Sequence, residues 1–195
     1  MKILRASLVV AWILGAGLAL GAVWNYKSTP GPQGVSPPRW PSASDISFSG
    51  STPTLVIFLH PRCPCARASL EELATILTAA PGKASVQIVF FSPGSETQDW
   101  GKTDVWNSAT RFPGACVRFD RDGAEARRFH APTSGHAFLY DADGGLRFSG
   151  GITGARGHQG ENPGRQALID LMQTGVSRID SAPVFGCPIF SEDVP

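Results

Sequence analysis

The chain opens on one apolar block, passes through a polar stretch, and then settles into short alternating runs. Residues 6–24, ASLVVAWILGAGLALGAVW, carry no charged side chain, and about 19 such positions suffice for a helix across a bilayer. Lys2 and Arg5 precede the block and Lys27 follows it, a bias that keeps the N-terminus cytoplasmic and sends the rest outward. Trp12, Trp24 and Tyr26 suit lipid-facing or interfacial places. The small residues ALGA at 19–22 also fit the processing site of a secretory signal, so residues 1–26 read as a membrane anchor or a signal peptide; both imply export. Residues 27–45 hold five prolines interleaved with glycine and serine, which predicts an extended, semi-rigid linker.

Residues 46–175 read as one domain. TLVIFLH at 54–60 is a continuous apolar run of strand length, as expected for a strand buried on both faces. Leu70, Leu73, Ile76, Leu77 and Ala80 recur at helical spacing and Pro81-Gly82 closes that helix. ASVQIVFF at 84–91 predicts a second strand, and a weaker helical pattern begins after Ser95. ACVRFD at 115–120 predicts a third strand and GAEARRFH at 123–130 a short helix. HAFLYD and LRFSGG flank a turn containing Asp143 and Gly144, the clearest hairpin in the chain. A glycine-rich stretch from 150 to 165 leads into a last helix with Ala167, Leu168, Leu171 and Met172 on one side; residues 176–195 read as an irregular tail. Strands alternating with helices and closed by a hairpin predict an α/β sandwich around a mixed sheet.

Composition narrows the function. With 195 residues, 42% hydrophobic content and a formal net charge of +1, the chain has room for one core and no basic field for nucleic acid. Four cysteines, Cys63, Cys65, Cys116 and Cys187, are too few for a disulfide scaffold and too unevenly spaced for a zinc ribbon.

Two of them stand one proline apart, in FLHPRCPCARASLEEL at 58–73. A disulfide needs Cα atoms about 4.4 to 6.8 Å apart with facing side chains. Two positions along a helix turn side chains apart by about 200°, and two along a strand separate them by about 6.6 Å; only a turn brings these sulfurs together comfortably. Pro64 disfavours helical backbone for Cys63 and suits the start of a helix, which predicts Cys63 in the loop and Cys65 in the first turn. So small a ring would be strained and easily reduced. The helix N-terminus and the nearby Arg62 and Arg67 predict that one thiol ionises readily. Inert buried thiols or a static staple are the bland alternative.

The segment VIFLHPRCPCARASLEEL resembles the active-site region of the thioredoxin-like superfamily, where a buried strand runs into a Cys-x-x-Cys turn and a helix. FPGACVRFDRDGAEARRFHAPTSGHAFLYDADGGLRFSGG is similar in order and spacing to the corresponding part of membrane-tethered, extracytoplasmic proteins of the TlpA and ResA kind, and the His-Pro-x-Cys-Pro-Cys pattern is similar to the RedB group. The resemblance covers roughly residues 50 to 175 and implies a thioredoxin-like sandwich. It makes Cys63 the attacking cysteine, with Cys65 one residue short of the family's resolving position. Gly135 falls where the family has a cis-proline, Pro132 lying three residues earlier. In the family that loop offers backbone to a substrate thiol or peptide, which implies Ser134, Gly135 and His136 as substrate-binding groups.

The hairpin's return brings residues 150–165 to the same end, adding Arg156 to that set and His158, Glu161 and Asn162 as further candidates. In a thioredoxin-like sheet His60 ends one strand and His136 begins its antiparallel neighbour, so Cys63, Cys65, His60 and His136 form a candidate copper or zinc site; the alternative is that each histidine hydrogen-bonds backbone or tunes a thiol. Cys116 and Cys187 read as an exported staple, with Cys187 folding back as a resolving thiol for Cys63 as the rival. The expected function is therefore a membrane-anchored thiol-disulfide oxidoreductase facing the periplasm or cell exterior. It would use Cys63 and Cys65 without a cofactor, act on protein thiols or disulfides and exchange electrons with an upstream redox partner. The alternative is a metal-binding protein on the same fold.

Overall fold

The structure, a computed structural model, describes residues 2–96 and 98–190. Helix α1, Lys2–Ser28, contains the apolar block; within its Arg5–Ser28 portion a window of 18 residues has a mean hydropathy of 2.1 and is unburied, and the helix is long and apolar enough to cross a membrane. The domain follows as β1 (Thr54–Leu59), α2 (Ala66–Ala79), β2 (Ser85–Ser92), α3 (Asp104–Ala109), β3 (Ala115–Arg121), α4 (Ala124–Arg128), β4 (His136–Tyr140), β5 (Leu146–Gly151), α5 (Pro163–Thr174) and β6 (Ser181–Ala182). The helical pattern after Ser95 is divided between a 3-10 turn at Gln98–Gly101 and α3, which starts where the Thr103 side chain accepts from the Trp106 amide.

The six strands lie in the order β3-β2-β1-β4-β5-β6. Strands β1, β2 and β3 run parallel, with Leu55 beside Val86 and Val86 beside Ala115; β4 is antiparallel to β1, with Phe58 beside His136, and β5 antiparallel to β4. This α/β sandwich, with a parallel half joined to a closing hairpin, is the thioredoxin-like arrangement that the sequence resemblance implied.

Alternation along the strands divides the core. Leu55, Ile57 and Leu59 of β1, Ile88 and Phe90 of β2, and Ala137 and Leu139 of β4 pack under α2 and α5, together with Leu70, Leu73, Ile76, Leu168 and Met172. Val56, Phe58, Val89, Phe91, Phe138 and Tyr140 point to the other face, against Ala126, Phe129, Ile46 and Trp40. The period of two makes each strand serve both layers. Across the first layer, Glu72 of α2 bonds Arg165 of α5 at 3.0 Å and accepts from the Gly160 amide at 2.6 Å, so the glycine-rich loop is tied to both helices.

The proline-rich segment is extended, and it is not free-standing. The Gly31 amide donates to Val184 O, Thr133 Oγ1 to Pro32 O, Gln33 Nε2 to Ala182 O, and Tyr140 Oη to Pro37 O, while the Trp40 ring lies 5.2 Å from Phe129 and 5.3 Å from Tyr140. The proline carbonyls at 32 and 37 accept from the domain without competing amides, while Gly31 and Gln33 donate to it. The tail is ordered too: β6 pairs in parallel with β5, and the backbone of 182–184 lies where a Cβ on Gly150 or Gly151 would have to sit. Gly150 and Gly151 thus admit the chain's own tail. Residues 191–195 of that tail lie outside the described residues.

Candidate active site

The end of β1 delivers the chain to the thiols. The His60 amide donates to Ser134 Oγ at 2.9 Å, and the Cys63 amide to His60 O at 3.1 Å. Cys63 lies in the turn and Cys65, with helical backbone (φ −73°, ψ −20°), sits at the N-cap of α2, where Pro64 directs it.

The third sulfur comes from the other end of the sequence. Gly151 lets the tail pass close to β5, and the tail then crosses the loop before β4: the Ser134 amide donates to Cys187 O at 2.9 Å, and the Ile189 amide to Pro132 O at 2.8 Å. This brings Cys187 Sγ to 2.9 Å from Cys63 Sγ. The sulfurs of Cys63, Cys65 and Cys187 all lie within 4.8 Å of one another, and all three cysteines are buried free thiols. Of the two roles open to Cys187, the structure matches the return to Cys63. The staple with Cys116 is corrected: Cys116 is exposed on β3, opposite Gln87, while Cys187 lies with the turn.

Electrostatics give the three sulfurs different characters. Hydrogen bonds from Cys187 and then Cys65 hold the Cys63 thiol below its ordinary value, against the opposing effect of burial. Cys65 is pulled down by Cys187, but its bond to Cys63, burial and the charge on Cys63 together leave it raised. Cys187 is pushed up by its bonds to Cys63 and Cys65 and by burial. These directions favour ionisation at Cys63 before Cys65 or Cys187. Neighbouring thiols, not arginines, are therefore the main source of ionisation: Arg62 stacks over the Trp100 ring at 4.2 Å, and Arg67 is exposed.

Neither histidine joins the sulfurs, so the structure does not bring Cys63, Cys65, His60 and His136 together as one group of ligand atoms. The three-ligand group with sulfurs within 4.8 Å contains no histidine among the described residues. Both residues continue the series that faces the aromatic layer. The His60 ring lies 5.5 Å from Phe91, and the His136 ring stacks on Phe138 at 4.2 Å. His136 Nε2 meets Ser149 Oγ at 2.8 Å, and burial lowers its pKa from 6.5 to about 3, which keeps the ring neutral.

Of the remaining candidates, Ser134 and Gly135 form the loop crossed by the tail, and the Gly135 amide donates to Phe58 O at 2.8 Å. Arg156 donates to Gly186 O, beside Cys187; its own amide donates to Lys27 O at 3.0 Å, and its guanidinium lies 4.9 Å over the Tyr26 ring. The thiol end of the domain thus adjoins the end of α1. Asn162 caps α5 by accepting from the Arg165 amide at 2.8 Å, and His158 and Glu161 are exposed.

No protein-family model matches the sequence, and no curated protein matches it. Among solved structures, an uncharacterized conserved protein of Geobacillus kaustophilus is similar at 16% identity, with 86% of this chain and 95% of that one covered and a TM-score of 0.58. A hypothetical protein of Sinorhizobium meliloti is similar at 20% identity, 83% and 94% coverage, and a TM-score of 0.54. A secreted disulfide oxidoreductase of Mycobacterium tuberculosis homologous to E. coli DsbE overlaps in part, at 20% identity over 51% of this chain and 68% of that one, with a TM-score of 0.39.

Proposed function

We propose that the protein is a membrane-anchored thiol-disulfide oxidoreductase whose domain faces the periplasm or exterior. The carrying observation is the 2.9 Å approach of Cys187 Sγ to Cys63 Sγ at the start of α2. The Cys63 thiolate attacks one sulfur of a substrate disulfide; a Cys63–substrate bond forms as the substrate bond breaks, and the departing sulfur takes a proton. Cys187, giving up its proton, then attacks Cys63 Sγ and releases the second substrate sulfur. The substrate gains two electrons and two protons, and Cys63 and Cys187 become a disulfide, which an external dithiol returns to the reduced form by the same exchange in reverse. Cys65, one residue short of the family's resolving position, serves as a second donor to the Cys63 thiolate. The apolar α1, and the position of the thiols beside its end, support the membrane tether.

Reacting the reduced protein with a small aromatic disulfide and mapping the products by mass tests this reading. The expected product is a Cys63–Cys187 bridge with Cys116 free; a Cys63→Ser variant that exchanges as fast as wild type overturns it.

The three convergent sulfurs support a second reading, retention of one soft cation such as Cu(I) by Cys63, Cys65 and Cys187. Ligands about 2.3 Å from one ion in a trigonal plane stand about 4 Å apart, so Cys187 would have to withdraw slightly from Cys63. Equilibrium dialysis of reduced protein with Cu(I) tests it: one tightly held ion, lost in Cys187→Ser, supports it, and no retention rejects it.

A further inference from the structure

The tail that supplies Cys187 is paired to the domain as a separate peptide would be. Its main chain exchanges hydrogen bonds with the loop before β4 through Ser134 N–H to Cys187 O and Ile189 N–H to Pro132 O, and Thr133 and Pro188 form an antiparallel bridge. Val184 is donated to by Gly31, and Gly186 by Arg156. Such bonds read backbone rather than side chains, so another extended chain can make them. Side-chain selection comes from three places. Val184 and Ile189, three before and two after the cysteine, are fully buried, and a Cβ on Gly186 would run into the Ser134 carbonyl oxygen.

The tail also closes the site. Cys63 is 1% exposed, with Cys187 against its sulfur, so an outside disulfide reaches Cys63 only when the tail has moved.

We propose that residues 184–189 occupy the substrate's own place. The substrate class is an extended, cysteine-bearing polypeptide with glycine before the cysteine and apolar residues three before and two after it, pairing with Pro132 and Ser134 in the tail's stead. This rests on the thiol-exchange reading and adds to it a route for release. Once the Cys63–substrate disulfide has formed, the returning tail displaces the substrate strand; the Cys187 sulfur bonds to Cys63 Sγ, the Cys63–substrate bond breaks, and the electron pair leaves with the substrate sulfur, which takes the proton Cys187 gives up.

Full-length protein carrying Gly186→Ala, whose added methyl obstructs docking of the tail, tests the proposal. The probes are a small aromatic disulfide and the synthetic peptide APVFGCPIF with its cysteine joined to the same aromatic thiol, beside a version with valine in place of the glycine. Reaction at Cys63 is expected to be at least about tenfold faster in Gly186→Ala than in wild type with the small probe, the gain of a locally opened site. The glycine peptide is expected to outpace the valine peptide by at least about tenfold. Equal peptide rates, or no acceleration in Gly186→Ala, overturn the proposal while leaving exchange at Cys63 intact; no reaction of Cys63 with the small probe in either protein overturns the exchange reading itself. Should Gly186→Ala not fold, hydrogen exchange in wild type decides: the Ser134 and Ile189 amides are expected to exchange through local opening at least about tenfold faster than the β1 amides, and exchange of both only with global unfolding overturns the proposal.

Discussion

The two faces of the sheet are built from the same strands and do different chemistry. Beneath α2 and α5 lie aliphatic side chains and, at one end, three converging sulfurs. On the opposite face lie Phe58, Phe129, Phe138 and Tyr140, with His60 and His136 at the same end of the strands, their rings stacked into the aromatic layer. Nearness along the strand axis is thus a poor guide to shared chemistry; strand parity decides which groups meet. The sulfurs escape parity because they come from a turn and a tail, whose backbones approach from outside the sheet.

The sharpest test of that division is Cys63→Ser against Cys116→Ser. A serine hydroxyl stays protonated where the thiol ionises, so Cys63→Ser is expected to lower disulfide exchange by at least about a thousandfold. Cys116, exposed on β3 and away from the cluster, is expected to leave the rate unchanged when replaced by serine. Stopped-flow assays with an aromatic disulfide measure both, and a comparable loss in Cys116→Ser would break the comparison.

The aromatic face should answer in stability instead. Phe129 is fully buried and meets Trp40 at 5.2 Å, Phe58 at 5.2 Å and Phe138 at 5.7 Å. Phe129→Ala is expected to cost about 3 to 5 kcal/mol in denaturant unfolding of the domain, and to loosen the 31–40 segment, because Trp40 loses a partner. Exchange at Cys63 in the folded fraction is expected to rise by less than about tenfold, because the loosened segment and Ile189 bear on the tail while no thiol is removed.

Much of this architecture was legible in the sequence because it is written in local period and punctuation. The uninterrupted TLVIFLH marked a doubly buried strand, Asp143-Gly144 marked the hairpin turn, and Pro64 fixed which cysteine opens the helix. The alternation 56, 58, 60 and 136, 138, 140 also puts both histidines in step with the aromatic face and out of step with the thiol side. The position of Cys187 had no comparable signal. It depends on contacts between residues more than fifty apart, such as Ser134 with Cys187 and Gly31 with Val184, and on glycines whose permissiveness does not name what they admit. The same is true of the proline-rich segment: its extension follows from composition, its docking from Thr133, Tyr140 and Phe129 elsewhere in the chain.

Ionisation of Cys63 provides a finer test of the thiol side. The S–H groups of Cys187 and Cys65 lower its pKa, so the alkylation rate of Cys63 in wild type is expected to vary little between about pH 6 and 8. With the donors removed in the double variant Cys65→Ser/Cys187→Ser, the weaker hydroxyl donors and continued burial should raise the pKa. The rate should then climb with pH across the same window, approaching about tenfold per unit. A flat profile in the double variant would place the source of ionisation elsewhere, in the helix end.

The smallest effect at neutral pH is expected from His136→Phe, and its direction changes with pH. The substitution keeps a ring against Phe138, removes a buried Nδ1 without a partner, and gives up the Nε2 bond to Ser149, whose hydroxyl keeps Ser36 at 2.5 Å. These changes oppose one another, so stability at pH 7 should move by less than about 1 kcal/mol. In acid the balance shifts. The folded-state pKa of about 3 lies below the ordinary 6.5, so the unfolded chain takes up a proton that the folded chain refuses. Wild type therefore loses stability as pH falls below about 6.5, by up to about 1.4 kcal/mol per unit, until the folded pKa is reached. His136→Phe lacks that contribution and should be the more stable protein at pH 5, measured as a difference between the two unfolding curves. Exchange at Cys63 should be unchanged throughout; a tenfold fall would mean that His136 acts on the thiols through the sheet and that the two faces are not chemically separate.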